Sequence, residues 1–173
     1  MSALPTPEFS RRADTRQIDE APVRLVANAV ERAALAKRFD LVRINRLEAE
    51  LALAKDGAAI MGTGRLHADI VQSCAISAED LPVSIDEALV LRFVPAAAPP
   101  RPDEEIELEA DSLDEIEFTG TGFDLGEAVA QSLFLAIDPF AEGPEANRVR
   151  KEAGLLSEEA AGPFAGLAAL KKK

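Results

Sequence analysis

Leu47, Ala49, Leu51 and Leu53 alternate with Glu48, Glu50 and Ala52, and this period of two constrains the fold more than any other stretch. Ala, Leu and Glu each favour helix on their own. A strict alternation nevertheless puts every apolar side chain on one face of a strand, and pattern outweighs single-residue propensity. Asp56-Gly57 follows as a hairpin signal. The returning run places Ile60, Gly62, Gly64, Leu66, Ala68 and Ile70 on one face. Two glycines there predict a bulge, a sharp curl or the close approach of another element. After a turn around Ser77–Leu81, a third long strand turns Leu89, Leu91 and Phe93 inward. Val23, Leu25 and Ala27 form a weaker strand. Ile106 and Leu108 pair briefly, Ile116–Phe118 closes the sheet, and P-E-F-S-R-R-A-D-T-R-Q-I suits a sheet edge.

Two helices are predicted by their caps. Asn28 with Glu31 makes a capping box, and Lys37-Arg38 lie where the helix dipole favours cations. The expected inward stripe of this helix is Val30, Ala33, Ala34 and Phe39. Asp124 caps the second helix, with Glu127 placed to reach back to its backbone. That helix runs to about Ile137, where Asp138-Pro139 stops it, and Leu125, Val129, Leu133 and Ile137 face inward. The chain's ending, P-F-A-G-L-A-A-L-K, is apolar enough to need a docking surface on this protein or another. The fold class expected is α+β, a curled antiparallel sheet of about five to seven strands with two main helices and a helical or extended C-terminal tail. Residues 1–140 are expected to form a single domain with a mobile acidic loop at about 95–115. Residues 141–173 form the tail, partly docked or flexible.

Charge is distributed unevenly along a chain of net charge −12. Residues 1–65 hold eleven Lys/Arg against nine Asp/Glu, residues 66–145 two against nineteen, and the last twenty-eight residues six against three. The acidic middle repels polynucleotides, which only the N-terminal cations (Arg11, Arg12, Arg16, Arg24, Arg32, Lys37, Arg38, Arg43 and Arg46) could hold. A basic protein suits that middle better, and simple solubility explains it too. There is no Trp or Tyr to build an aromatic platform, only eight Phe, and these are scattered. The N-terminus lacks the apolar core of a signal peptide, and no run approaches the ~20 apolar residues that cross a bilayer. With the single cysteine Cys74, a reducing, cytoplasmic location is expected.

Chemistry-bearing residues are few. His67 and Asp69 share a strand face as a base with a carboxylate, but no motif supplies a nucleophile, and solvent-facing alternation explains H-A-D equally. Cys74 sits among apolar neighbours and reads as a small buried residue, since activation needs a nearby cation and the downstream sequence is acidic. M-G-T-G-R-L lacks the third glycine of a dinucleotide fingerprint. The acidic run from Asp103 to Glu117 lacks the order of a calcium loop. No enzyme activity, cofactor or metal is therefore expected.

F-S-R near the start, L-A-K-R-F-D-L, L-x-A-D-I-V-Q-S-C, F-D-L-G-E-A-V-A-Q-S-L-F-L-A-I-D-P-F and K-E-A-G-L-L-S-E-E-A-A-G-P-F-A-G-L-A-A-L-K follow one another along nearly the whole chain. Together they resemble the YceD family of large ribosomal RNA subunit accumulation proteins, in its alphaproteobacterial form. The resemblance implies a non-enzymatic role in 23S rRNA accumulation and large-subunit assembly. Where many members read C-x-R-C, this chain has Cys74-Ala75-Ile76-Ser77, so a metal or redox role for a cysteine pair does not transfer. The implied partners are large-subunit components, a basic ribosomal protein or the 23S rRNA precursor, with no membrane and no DNA. Candidate partner-binding residues are Arg11, Arg12, Glu104, Glu105, Glu107, Glu109, Phe123, Asp124, Leu125 and Glu127. The alternatives are a direct RNA-binding protein using the N-terminal arginines and a generic acidic interaction module.

Overall fold

The Asp56-Gly57 hairpin organises the molecule. In the computed structural model, which describes residues 7–19, 21–96 and 115–154, strand β3 (Arg43–Asp56) turns through Gly57 and Ala58 into β4 (Ala59–Ser73). Gly57 takes the left-handed φ of +61° that the tight turn demands. Around it the chain runs β1 (Arg12–Asp14), β2 (Val23–Val26), α1 (Ala29–Arg38), β3, β4, β5 (Asp80–Pro95), β6 (Glu115–Phe118), β7 (Gly122–Asp124), α2 (Leu125–Ala136) and α3 (Ala146–Glu152). Strands β2-β3-β4-β5-β6 form a curled five-stranded sheet, and β1 pairs with β7 in a separate two-stranded one. Ile106 and Leu108 lie outside the described residues.

One edge departs from the antiparallel expectation, since β6 runs parallel to β5. A hairpin would have forced the antiparallel direction. The long connection from Ala96 to Asp114 frees the chain to return to the starting end. The curl has two local sources. Asn45 is an extra residue between the Ile44↔Ile70 and Arg46↔Asp69 pairs, a bulge that bends β3. A Cβ on Gly64 would collide with the Glu50 carbonyl, so only glycine lets β3 approach β4 there.

The alternating residues read from sequence are the buried ones. Leu47, Ala49, Leu51 and Leu53 of β3, Ile60, Leu66, Ala68 and Ile70 of β4, and Leu89, Leu91 and Phe93 of β5 join one apolar cluster with Leu25, Leu35 and Phe9. α2 closes this cluster with Leu125, Ala128, Val129 and Leu133. Each such Leu or Phe contributes about 1.5–3 kcal/mol by leaving water. Phe123 stacks against Phe93 and Phe118, with ring centroids 4.5 and 5.8 Å away.

The α1 stripe is corrected except at Phe39, which packs against the core. Leu35 and Ala36 are its buried residues, and Val30 is 78% exposed. Asn28 caps the helix with both halves of the capping box formed, which fixes its phase. At ~100° per residue, Val30 then stands ~140° around the helix from Leu35 and faces solvent. The opposite face of the main sheet carries Arg24, Arg46, Glu48, Arg65 and Asp86 in exposed ion pairs, as expected for an antiparallel sheet with one wetted side.

Candidate functional site

Three of the sequence words meet at the N-terminus of α2. Asp124 caps the helix by accepting the N–H groups of Gly126 (3.0 Å) and Glu127 (3.2 Å). Its carboxylate also accepts the Arg11 N–H at 2.8 Å and the Ser10 hydroxyl at 2.5 Å, pinning the F-S-R segment to the helix. The Arg11 guanidinium grips Glu31 through two bonds of 2.7 and 3.0 Å, donates to the Val26 carbonyl, and lies 4.6 Å over the Phe9 ring. The bond from Arg11 holds Glu31 below the usual carboxylate range and raises Arg11 in turn. Gly126 has no Cβ because one would strike the Phe9 carbonyl. D-L-G-E-A-V is thus a cap, a core residue, a crossing point for the N-terminal segment, an ion-pair partner and two more core residues.

Glu127 does not reach back to its cap. It binds Arg38 at 2.9 and 2.7 Å, and Arg38 also holds Glu8 at 2.9 Å. A guanidinium presenting two parallel donors outcompetes a single backbone N–H. Phe123 and Leu125 are 3% and 2% exposed, so both side chains belong to the core. Arg12 is exposed on β1, opposite Asp124. Glu104, Glu105, Glu107 and Glu109 lie outside the described residues.

A second junction follows the other end of α2, and sequence reasoning missed it. Cys74 directly follows β4, is 4% exposed, and its Sγ accepts backbone N–H groups from Ser77 (3.3 Å), Ile76 (3.5 Å) and Gly143 (3.3 Å). Ala75 donates to the Ala141 carbonyl at 3.0 Å, and buried Gln72 donates to the Asp138 carbonyl at 2.9 Å. Glu79 accepts the Ser77 hydroxyl and the Glu145 N–H, both at 2.9 Å. V-Q-S-C therefore holds D-P-F-A-E-G-P in place and leads it into α3, whose Ala146 is buried. The Ser77 hydroxyl and N–H, then the N–H groups of Gly143 and Ile76, lower the thiol to about 7. Because that hydroxyl donates to Glu79, the three backbone N–H groups are the donors aimed at sulfur. Backbone dipoles thus act on the sulfur directly, and the Arg150 guanidinium, itself raised in part by Cys74, supplies a cation nearby. The Gly143-Pro144 pair was the one signal in the sequence.

His67, Asp69 and Cys74 are not gathered. His67 and Asp69 stand on the β4 face away from the core, His67 at 3.6 Å from Asp86 and Asp69 bonded to the Ser84 hydroxyl at 2.7 Å. Cys74 is enclosed at the strand's end. Among the described residues no group of three or more His, Cys, Asp or Glu is placed to hold a metal, and no helix is long and apolar enough to cross a membrane.

The region from mid-β4 through both junctions coincides with a family model. Residues 62–171 match the family described as large ribosomal RNA subunit accumulation protein YceD. The chain belongs to the YceD family. No curated protein and no solved structure matches it. The match starts within β4 and takes in Cys74, Asp124 and all of α2 and α3, so both junctions contain family-matched residues. The role attached to the family is in large-subunit ribosomal RNA accumulation.

Proposed function

We propose that this YceD protein supports 23S rRNA accumulation as a binding factor in large-subunit assembly, without bond-making chemistry, and that a cationic ribosomal protein is its direct partner. One observation carries the choice of partner. Nine of the described arginines, from Arg11 to Arg150, already hold a carboxylate of this chain. The N-terminal arginines that a bare polynucleotide would need are mostly spent internally, and the sequence's charge excess lies in its acidic middle, two Lys/Arg against nineteen Asp/Glu over residues 66–145. The separation of His67 and Asp69 from Cys74 supports a role without catalysis.

Purified large-subunit proteins and 23S fragments, each offered to the full chain, test this reading. We expect a basic ribosomal protein to bind, to release steeply as salt rises, and to bind less to the Glu104→Gln/Glu105→Gln/Glu107→Gln/Glu109→Gln variant. Binding indifferent to both salt and these changes would refute it.

A further inference from the structure

Six described cations hold no carboxylate among the described residues: Arg12, Arg32, Lys37, Arg43, Lys55 and Lys151. Three of them, Arg32, Lys37 and Arg43, line one groove of about 350 Å³ between α1 and the start of β3. Its remaining lining is apolar (Ala29, Ala33, Ala36, Leu41, Val42 and Ile44), with no Asp or Glu. Among the described residues every arginine outside the groove except Arg12 holds a carboxylate, so three cations with no Asp or Glu among the described lining residues set this groove apart electrostatically. We infer that this groove binds the phosphodiester backbone of a single RNA strand.

The geometry suits a chain of phosphates better than one anion. Arg32 and Lys37 are five positions apart on α1, on the order of 7.5 Å along its axis and ~140° around it, so they stand as two separated cations at the groove rather than as one anion site. Arg43 supplies a third contact from β3. Val42, 44% exposed, offers an apolar surface to a sugar or base. Arg32 is held in place by a 2.6 Å bond from its Nη1 to the Ala27 carbonyl. Among the described residues its other guanidinium N–H groups have no hydrogen-bond partner. The inference deepens the ribosomal reading above and rests on its rRNA part. It adds a nucleic-acid contact beside the protein contact, so that one factor would bridge the two.

The test uses the full chain with a fluorescein-labelled single-stranded fragment of large-subunit rRNA, titrated at several salt concentrations. Each phosphate contact contributes about 0.7 to the slope of log K against log salt for a single strand. The Arg32→Gln/Lys37→Gln/Arg43→Gln variant should lose about 2 from that slope, and about 100-fold in affinity at 0.1 M salt. Lys37→Gln/Arg43→Gln leaves the Ala27 bond intact, so it controls for folding and should lose about 20-fold. Lys55→Gln, away from the groove, should lose little. Unchanged RNA affinity in the groove variants overturns the inference. So does poly-glutamate binding as tightly as RNA at the same residues, which would assign the groove to an acidic polypeptide. Retention of a cationic ribosomal protein by the groove variants separates failure here from failure of the proposed function.

Discussion

The two ends of α2 are fastened by different physics. At its N-terminus, Asp124, Arg11 and Glu31 tie the F-S-R segment down with charge-assisted bonds over a buried Phe9. Beyond its C-terminus, residues 138–145 are held by backbone N–H groups, a sulfur, the amide of Gln72 and one carboxylate, Glu79, over small buried side chains. Charge-assisted bonds are roughly twice as strong as neutral ones. The first junction, built on more of them, therefore works as a rivet, and the second as a clasp whose strength depends in part on the state of one thiol. A protein that must fold stably and also present a segment to a partner can use both.

The largest contrast should come from the two crossing glycines. A Cβ on Gly126 meets main-chain atoms of Phe9 and Arg11, which cannot step aside without unseating the N-terminal segment. A Cβ on Gly143 meets the far ends of the Glu79 and Leu81 side chains, which can turn away. Gly126→Ala is expected to cost about 3 kcal/mol in urea unfolding and Gly143→Ala about 1 kcal/mol. Equal costs would mean that the clasp is as rigid as the rivet.

The bonds themselves come next. Asp124→Ala removes the cap and strands the Arg11 N–H and Ser10 hydroxyl, an expected loss of about 2–3 kcal/mol. Cys74→Ala strands three N–H groups that bind a protonated sulfur weakly, and Tm should fall by a few degrees at pH 6. Cys74→Ser should recover part of that loss. If Cys74→Ala matches Asp124→Ala, sulfur contributes far more than a weak acceptor should.

These junctions also show what the sequence could disclose. The caps at Asn28 and Asp124, the Asp56-Gly57 turn and the Leu47–Leu53 alternation are local, and each was readable because its partners lie within a few residues. The Arg38–Glu127 pair joins residues 89 apart, and the Gly143–Cys74 bond residues 69 apart. Nothing in the spacing of either segment names the other. The parallel direction of β6 was hidden for the same reason, because it depends on where a long connection returns. Of the candidate site, Asp124 was legible as a cap. Leu125 was legible too, as an inward residue of its helix, whereas the burial of Phe123 against Phe93 and Phe118 is a tertiary fact.

Titration separates the junctions further. The Cys74 thiol is lowered to about 7 by its donors, so the folded state binds that proton less tightly than the unfolded chain does. A depressed acid contributes stability fully above the unfolded thiol's pKa, and that contribution disappears as pH falls through about 7. Glu31, lowered chiefly by Arg11, follows the same sign in a lower window: its contribution is intact at neutral pH and lost only in acid, below the ordinary carboxylate range. Between pH 9 and pH 6, exchange protection of the Gly143 and Ser77 amides should fall, after correction for intrinsic rates, while Gly126 and Arg11 stay unchanged. A parallel decline at both sites would mean that global stability, not the thiol, responds.

The smallest effects test whether the rivet is itself uniform. Glu31 accepts both the Arg11 guanidinium and the Asn28 N–H, so Glu31→Gln weakens an ion pair and a capping box at once. Glu127 accepts only side chains, Arg38 and Gln131, in a partly exposed setting where such pairs contribute little. Glu31→Gln should cost about 1 kcal/mol and Glu127→Gln about 0.5 kcal/mol or less. Raising salt to 1 M should erase most of the Glu127 effect and spare the capping part of the Glu31 effect, because screening acts on charge and not on the backbone bond. If both effects vanish together in salt, the rivet is held by ion pairing alone, and its advantage over the clasp should then disappear at high ionic strength.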